Sequence, residues 1–205
     1  MKQLLFTLTI SIIFSNCTAQ KTSYEDEIKL VQYELNKHYS DTSTSPLTKE
    51  DLKSFKALAF FKIDGKYSVE AKLELTPNAP IFEMQTTTDR LPLYRKYGIA
   101  HATLDGQKFE LSIYQSQGLM SNLEYEDYLF LPFNDLTNGN NSYGGGRFID
   151  LKLPTEGSNK IIIDFNKAYN PYCAYNSKYS CPIPPKENNL KIEIPAGVKA
   201  FGEHH

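Results

Sequence analysis

The chain has 205 residues, with 22 lysines and arginines against 24 aspartates and glutamates, and 40% of its residues are hydrophobic. This near-balanced charge provides no basic face for nucleic acid, so we expect no nucleic-acid partner. The apolar fraction is that of an ordinary globular domain, and one domain is expected at this length. The abundance of tyrosine and phenylalanine favours a fold rich in β-structure.

Residues 1–19 are predicted to be a signal peptide. The apolar run 4–14 has the length of a signal-peptide core and is too short to cross a bilayer. Cleavage before Gln20 would release a secreted protein that is periplasmic or extracellular. A poor lipobox ending at Cys17 predicts the alternative, a form held in the cell envelope by a lipid on that cysteine. A membrane is therefore expected as a partner only through this N-terminal anchor.

Residues 20–44 are predicted to form a helix and a linker ahead of the main domain. The segment 23–38 begins with Ser23 as a helix cap and has acidic residues in its first turn. Its apolar residues form one thin stripe, which predicts a helix on the surface. The stripe consists of Ile28, Val31 and Leu35. A polar linker at 39–46 precedes a second capped turn that opens at Thr48.

Residues 45–201 are predicted to form a single β-rich domain, followed by a tail at 202–205. Polar and apolar residues alternate along 67–75, as on a half-buried strand, and Asp105 with the following glycine suits the turn of a hairpin over 99–114. Four further strand candidates are 128–133, 147–153, 160–165 and 189–194. Because no helices alternate with these strands, we expect a mainly β fold, an antiparallel β-sandwich or barrel-like sheet with one or two N-terminal helices.

Two cysteines, Cys173 and Cys181, would remain in an exported chain. Outside the cytosol, two cysteines this close in sequence most simply form a disulfide. A metal site is an alternative, but zinc usually takes four ligands and no second cluster of Cys or His lies near in sequence. Two free thiols are the third possibility. We predict a disulfide, and no metal or cofactor.

Four blocks of the sequence resemble one bacterial family. They are 46-PLTKEDLKSFKALAFF-61, 94-YRKYGIAHATLDGQKFEL-111, 130-FLPFNDLTNGNNSYGGGRFIDL-151 and the cysteine-containing block 164–199. The family is the domain-of-unknown-function family 1684 of secreted and lipoprotein-like proteins, and the similarity runs from about residue 45 to residue 201. The resemblance implies one domain and a location outside the cytoplasm. It carries no activity and assigns no catalytic residue.

The stretch 143-YGGGRFID-150 is the first candidate binding site. Consecutive backbone N–H groups in a glycine-rich turn can bind an anion, and an arginine fork suits a carboxylate or phosphate. The candidate ligand contacts are Asp135, Tyr143, Gly144, Gly145, Gly146 and Arg147. A strand rather than a helix follows, which favours the alternative of a bulged turn with Arg147 paired internally to Asp150 or Asp164.

The irregular segment 164–175 is the second candidate. Its polar and aromatic residues could line a pocket for a sugar or small metabolite, with the predicted disulfide stiffening the wall. The candidate contacts are Asp164, Asn166, Tyr169, Asn170 and Tyr175. The alternative is that these asparagines order the loop by bonding to nearby backbone.

Three functions are compatible with these patterns. The first is an extracytoplasmic module that binds a small polar or anionic ligand, such as a carbohydrate, between the glycine loop at 144–146 and the cysteine loop at 173–181. The second is a hydrolase that uses a carboxylate pair near Arg147. Its candidate acids are Asp135, Asp150, Asp164 and Glu187. The third is an envelope protein that contacts other proteins. The chain contains no G-x-S-x-G, H-E-x-x-H or S-x-x-K motif, so the sequence leaves catalysis open.

Overall fold

A computed structural model describes residues 22–202 of the chain. The predicted signal peptide, Cys17 as lipid acceptor and most of the predicted tail lie outside the described residues. Within residues 22–202, no helix is both long enough and apolar enough to cross a membrane.

Seven antiparallel strands form one curled sheet with the shape of a half-barrel. The strands are β1 Ser68–Leu75, β2 Ile81–Glu83, β3 Leu93–Leu104, β4 Gln107–Ser116, β5 Tyr128–Phe133, β6 Arg147–Lys152 and β7 Lys160–Asp164. Their order is β6-β5-β4-β3-β1-β7, and β2 also pairs with β3. The mainly antiparallel β fold predicted from the sequence is therefore confirmed, with the barrel-like sheet as the observed architecture.

The concave face of the sheet holds the main hydrophobic core. Alternate strand residues such as Ala71, Ile113 and Leu131 are completely buried there. Residues 111–116 of β4 and nearly all of β5 are buried on both faces, because a second cluster, made mostly of aromatic side chains, covers the convex side. Its buried members are Met84, Tyr94, Tyr114, Phe130 and Phe148.

The predicted strand at 189–194 is not formed. Only Asn189 makes a bridge, with Asn134, and the rest of this segment is irregular. Its first half pairs briefly with the backbone of Asn134 and Leu136, and at Ile194 side chains take the place of a neighbouring strand. The Asp135 carboxylate accepts from the N–H of Ile194 at 3.1 Å, and Arg147 donates to the carbonyl oxygen of Ile194 at 2.8 Å.

Two helices, α1 Tyr24–Ser40 and α2 Lys49–Ser54, precede the sheet. The predicted caps are confirmed, since the side chains of Ser23 and Thr48 accept from backbone N–H groups in the first turns of α1 and α2. The predicted stripe of α1 is only partly buried. Ile28 is completely buried, whereas Val31 is 39% exposed.

Helix α1 is attached to the domain at its two ends. Near its start, the Tyr24 hydroxyl donates to both carboxylate oxygens of Asp164, at 3.0 and 3.1 Å. Near its end, Tyr39 is completely buried, and the Asn36 side chain accepts from the N–H of Leu58 at 2.7 Å. The middle of the helix is thus held over the convex face of the sheet without filling the space beneath it.

Candidate functional site

A cleft of about 890 Å³ lies between α1, the convex face of the sheet and the segment 169–182. This volume falls within the range of small-molecule sites, roughly 300–1,000 Å³. The lining residues are Leu30, Val31, Glu34, Leu35, His38 and Tyr39 of α1; Tyr94, Phe130, Phe148 and Asp150 of the sheet; and Arg90, Lys167, Tyr169, Pro171, Tyr172, Tyr179, Ser180, Cys181 and Pro182 of the loops.

The floor of the cleft is aromatic because of the register between β5 and β6. Phe130 on β5 is paired with Asp150 on β6, and Phe148 lies two residues before Asp150 on the same face. The rings of Phe130 and Phe148 meet edge to face with centroids 4.8 Å apart. Tyr169 is held against the edge of β6 by two backbone hydrogen bonds with Phe148, at 2.9 and 3.0 Å. These pairings place the carboxylate of Asp150 beside the rings of Phe130, Phe148 and Tyr169.

The Asp150 carboxylate is held by two tyrosines. Its Oδ1 accepts from the hydroxyl of Tyr169 at 2.6 Å and from that of Tyr128 at 2.8 Å. Burial raises the pKa of both tyrosines well above the ordinary value, and the charge of Asp150 raises it further. Both hydroxyls therefore remain protonated donors at neutral pH. Asp150 itself is exposed toward the cleft.

The rim of the cleft is joined by hydrogen bonds between loops. Arg90 donates from Nε to the Ser180 hydroxyl at 3.1 Å and from Nη2 to the Ser180 carbonyl oxygen at 2.8 Å. On the opposite wall, Nε2 of His38 lies 2.9 Å from the hydroxyl of Tyr172, which connects α1 to the loop. Hydrogen bonds between rim residues therefore hold the walls of the cleft in place without a ligand.

Cys173 and Cys181 are close together as free thiols. The backbone N–H of Cys173 donates to Sγ of Cys181 at 3.1 Å. Hydrogen bonding with the Cys181 thiol lowers the pKa of Cys173 to about 7, and the same interaction raises the pKa of Cys181. The structure does not contain the predicted disulfide, and its formation remains a prediction. Cys181 belongs to the wall of the cleft.

Arg147 is paired inside the protein. The side chains of Arg147 and Asp135 are both completely inaccessible, and Nη2 of Arg147 lies 2.6 Å from Oδ2 of Asp135. The guanidinium also donates to the carbonyl oxygens of Ala196 and Ile194. The alternative of internal pairing thus describes Arg147, but with Asp135 as the partner instead of Asp150 or Asp164. These two side chains are in no position to contact a ligand directly.

The glycine loop packs beneath the cysteine segment and away from the cleft. Gly146 has a φ of +90°, and a Cβ atom there would lie 2.6 Å from Cγ of Pro184. Gly144 and Gly145 are exposed. The Tyr143 hydroxyl lies 4.0 Å from Sγ of Cys173. The loop is accounted for as a tight turn into β6, and its role as an anion site stays a prediction.

Most candidates in 164–175 have structural partners. The Asn166 side chain donates to Tyr24 and Asp64, so with Asp164 it anchors the start of α1. Asn170 donates to the Tyr175 hydroxyl at 3.2 Å and to the Lys199 carbonyl oxygen at 2.8 Å. Of the five candidates in this segment, Tyr169 alone lines the cleft.

Sequence reasoning missed the residues that make the floor and the helical wall. Phe130, Phe148 and Val31 were assigned to strands or to a helix stripe, without a role in binding. The continuous apolar run 128–133 was a usable signal, because a strand without alternation is covered on both faces. The alternation of Phe148 with Asp150 on β6 was a second signal.

The half-barrel sheet, its convex aromatic face and the cleft under α1 define a small, β-rich domain with one helix-covered pocket. The family described as "Protein of unknown function (DUF1684)" matches residues 53–199, so the chain belongs to this family. The predicted resemblance is confirmed at this level, while the secreted or lipoprotein-like character remains a prediction.

The solution NMR structure of an uncharacterized protein from Haloarcula marismortui is similar to this chain. The two are 31% identical, the match covers 88% of this chain and 96% of the other, and the TM-score is 0.69. No curated protein matches the chain.

Proposed function

We propose that this protein is a small-molecule-binding module whose ligand lies in the cleft beneath α1. The observation that carries the proposal is the aromatic floor around Asp150, with a carboxylate oriented by Tyr128 and Tyr169 at the base of a pocket of about 890 Å³. Apolar walls with a few oriented polar groups are the usual composition of a ligand site.

The helix wall supports the same proposal. Leu30 is 60% exposed and Val31 is 39% exposed, and both line the cleft opposite the aromatic floor. Each Å² of apolar surface that a ligand removes from water contributes about 25 cal/mol. A ligand with an apolar body would therefore cover surface that the folded chain leaves open.

The polar or anionic ligand predicted for the glycine loop has weaker support than a ligand in the cleft. The guanidinium of Arg147, which the sequence predicted to bind the anion, is buried and paired with Asp135. A carbohydrate is also compatible with the cleft, because an exposed aromatic ring such as that of Tyr172 can pack on a sugar ring. We therefore place the ligand against the sheet and α1.

The hydrolase alternative finds less support than binding. Asp135 pairs with Arg147 but is buried, so a substrate would not reach it. Asp150 bonds to two tyrosines, and Glu187 bonds to the Tyr114 hydroxyl at 2.9 Å and to Lys96 at 3.3 Å. The three acids thus lie on different elements with separate partners, an arrangement that gives no support to a shared catalytic pair.

We also propose that the protein acts outside the cytoplasm, as the N-terminal pattern predicts. The sulfur atom of Cys181 already accepts a hydrogen bond from the backbone N–H of Cys173. These thiols therefore need little movement to form a disulfide in an oxidising compartment. Denatured mass spectrometry of the protein from its own host tests this. A chain cut before Gln20 and lighter by two hydrogen atoms is expected, and a full-length reduced chain would contradict it.

The binding proposal is tested with N-phenyl-1-naphthylamine, a neutral fluorophore that brightens in apolar sites. Wild-type protein should bind it saturably. Val31→Trp should weaken binding at least about tenfold, because an indole at this position would occupy space opposite the aromatic floor that the ligand needs. Tyr33→Trp is the matched control, since Tyr33 is 61% exposed on the same helix and is not part of the cleft wall. Equal binding by both variants, or no saturable binding, would contradict the proposal.

A further inference from the structure

The cleft contains one anionic group that lacks a cationic partner. Oδ1 of Asp150 accepts two tyrosine hydroxyls, whereas Oδ2 makes no hydrogen bond within residues 22–202. In the same part of the chain, no nitrogen of a lysine, arginine or histidine lies within 4.0 Å of this carboxylate. Neutral donors orient the carboxylate but leave its charge in place, so one oxygen is free for a ligand.

The surroundings of Asp150 favour a positive group. The faces of aromatic rings carry negative potential and attract cations. Phe130 and Phe148 lie beside Asp150 on the floor, and Tyr169 bonds to it directly. Burial raises the pKa of Tyr94, while the charge of Arg90 lowers it and the charge of Asp150 raises it, so this ring lies within the field of both groups. A carboxylate with aromatic rings beside it favours an ammonium group over an anion.

Two cations, Arg90 and Lys167, also line the cleft. Arg90 has already donated Nε and Nη2 to Ser180 at the rim, so it is less available than Asp150. Lys167 is exposed to solvent, as Asp150 is, so screening acts on both charges. The competing ligand is an anionic amphiphile that pairs with Arg90 and Lys167. Its apolar body would lie against the same walls, but its negative head group would be repelled by the carboxylate of Asp150.

We propose that the ligand of the cleft is an organic ammonium ion with an apolar body. The ammonium group donates to Oδ2 of Asp150, and the apolar body lies between the rings of Phe130 and Phe148 and the exposed side chains of Leu30 and Val31. This inference rests on the proposed function, because it names the chemical class of ligand for the same cleft.

Three probes with the same chain and different head groups test the inference. Decylammonium, decanol and decanoate are each used, below their micelle concentrations and at pH 7, to displace N-phenyl-1-naphthylamine from the wild-type protein. Decylammonium should displace it at a concentration at least about tenfold lower than decanoate, with decanol in between. Displacement by decanoate at equal or lower concentration overturns the ammonium proposal but leaves the binding module intact. Failure of all three probes and of the fluorophore overturns the binding module itself.

Matched variants assign the preference to one carboxylate. Asp150→Asn should remove the advantage of decylammonium over decanol, with both probes measured on the same variant. Asp105→Asn removes the same charge at the exposed tip of the β3–β4 hairpin, where the positive φ of 49° suits asparagine, and it should keep the preference. An unchanged preference in Asp150→Asn overturns the assignment. If that variant does not fold, the wild-type comparison of the three probes decides alone.

Discussion

The guanidinium of Arg147 and the carboxylate of Asp135 form an ion pair of 2.6 Å with no exposed side-chain surface on either residue. The pair also connects two backbone segments, because Oδ1 of Asp135 accepts from the N–H groups of Thr137 and Ile194, at 2.8 and 3.1 Å. The rings of Phe133 and Phe61 flank the guanidinium at 5.3 and 5.8 Å. The arginine that ends the glycine run therefore holds the final segment of the domain against the sheet.

Replacing this arginine should destabilise the fold strongly. Arg147→Met leaves the Asp135 charge buried without a partner, which typically costs about 3–5 kcal/mol. Urea unfolding at neutral pH measures the change. The control is Lys152→Met, which breaks an exposed pair with Asp127 and should change the free energy of unfolding little. An Arg147→Met protein with wild-type stability would show that the pair does not hold the segment.

The three consecutive glycines should differ sharply in tolerance. Gly146→Ala requires a φ of +90° and brings Cβ to 2.9 Å from the carbonyl oxygen of Phe133, so we expect a loss of about 1–3 kcal/mol. Gly144→Ala has its nearest neighbour, Cα of Gly139, at 3.6 Å and should be close to neutral. Thermal unfolding of both variants checks this. An equal loss of thermal stability in the two variants would mean that the turn does not depend on the left-handed conformation of Gly146.

The cysteine pair should react unequally with iodoacetamide under reducing conditions. Hydrogen bonding with Cys181 lowers the pKa of Cys173 to about 7, so its reactive thiolate forms as the pH rises through this value. The pKa of Cys181 is raised by the same interaction, and this thiol should stay unreactive. Peptide mass spectrometry across pH 6 to 10 gives each rate. A rate midpoint for Cys173 near pH 9, or faster labelling of Cys181, would contradict the arrangement.

The anchor at the start of α1 should depend on the Tyr24 hydroxyl. Tyr24→Phe removes its hydrogen bonds to Asp164 and should cost about 1 kcal/mol. Burial, with the nearby Asp164 charge, raises the pKa of Tyr24 from 10.0 to about 12. The unfolded chain therefore loses this proton first as the pH rises. The stability difference between wild type and Tyr24→Phe should be complete below pH 10 and should shrink between pH 10 and 12. A difference that does not vary with pH would show that the hydroxyl is not the anchor.

Local patterns in the sequence predicted the local structure well. Ser23 caps α1, the alternation in 67–75 corresponds to β1, and Asp105 and Gly106 both have positive φ at the hairpin turn. The segment 189–194 has the same apolar alternation but is irregular, because the backbone of Ile194 bonds to the side chains of Asp135 and Arg147 instead of to a strand. A sequence pattern indicates which face of a segment is apolar. It does not indicate which groups form hydrogen bonds with the backbone N–H and carbonyl groups of that segment.

The candidate site was harder to predict for the same reason. The cleft brings together residues about 100 positions apart, such as Val31 on α1 and Phe130 on β5. Their proximity depends on how α1 crosses the convex face, which is set by the bonds of Tyr24 and Asn36 at its two ends. Tyr169 was singled out because polar and aromatic residues cluster near it in sequence, and it does line the cleft.

The central claim is that a small molecule binds under α1 and away from the glycine loop. Backbone amide chemical shifts, measured by NMR during titration with N-phenyl-1-naphthylamine, locate the binding site directly. We expect saturable shifts at 30–38, at 148–150 and at 169–182, and the Val31→Trp protein should need at least about tenfold more fluorophore to reach the same shifts. Saturable shifts confined to 143–147, or the absence of saturable shifts in the wild-type protein, would contradict it.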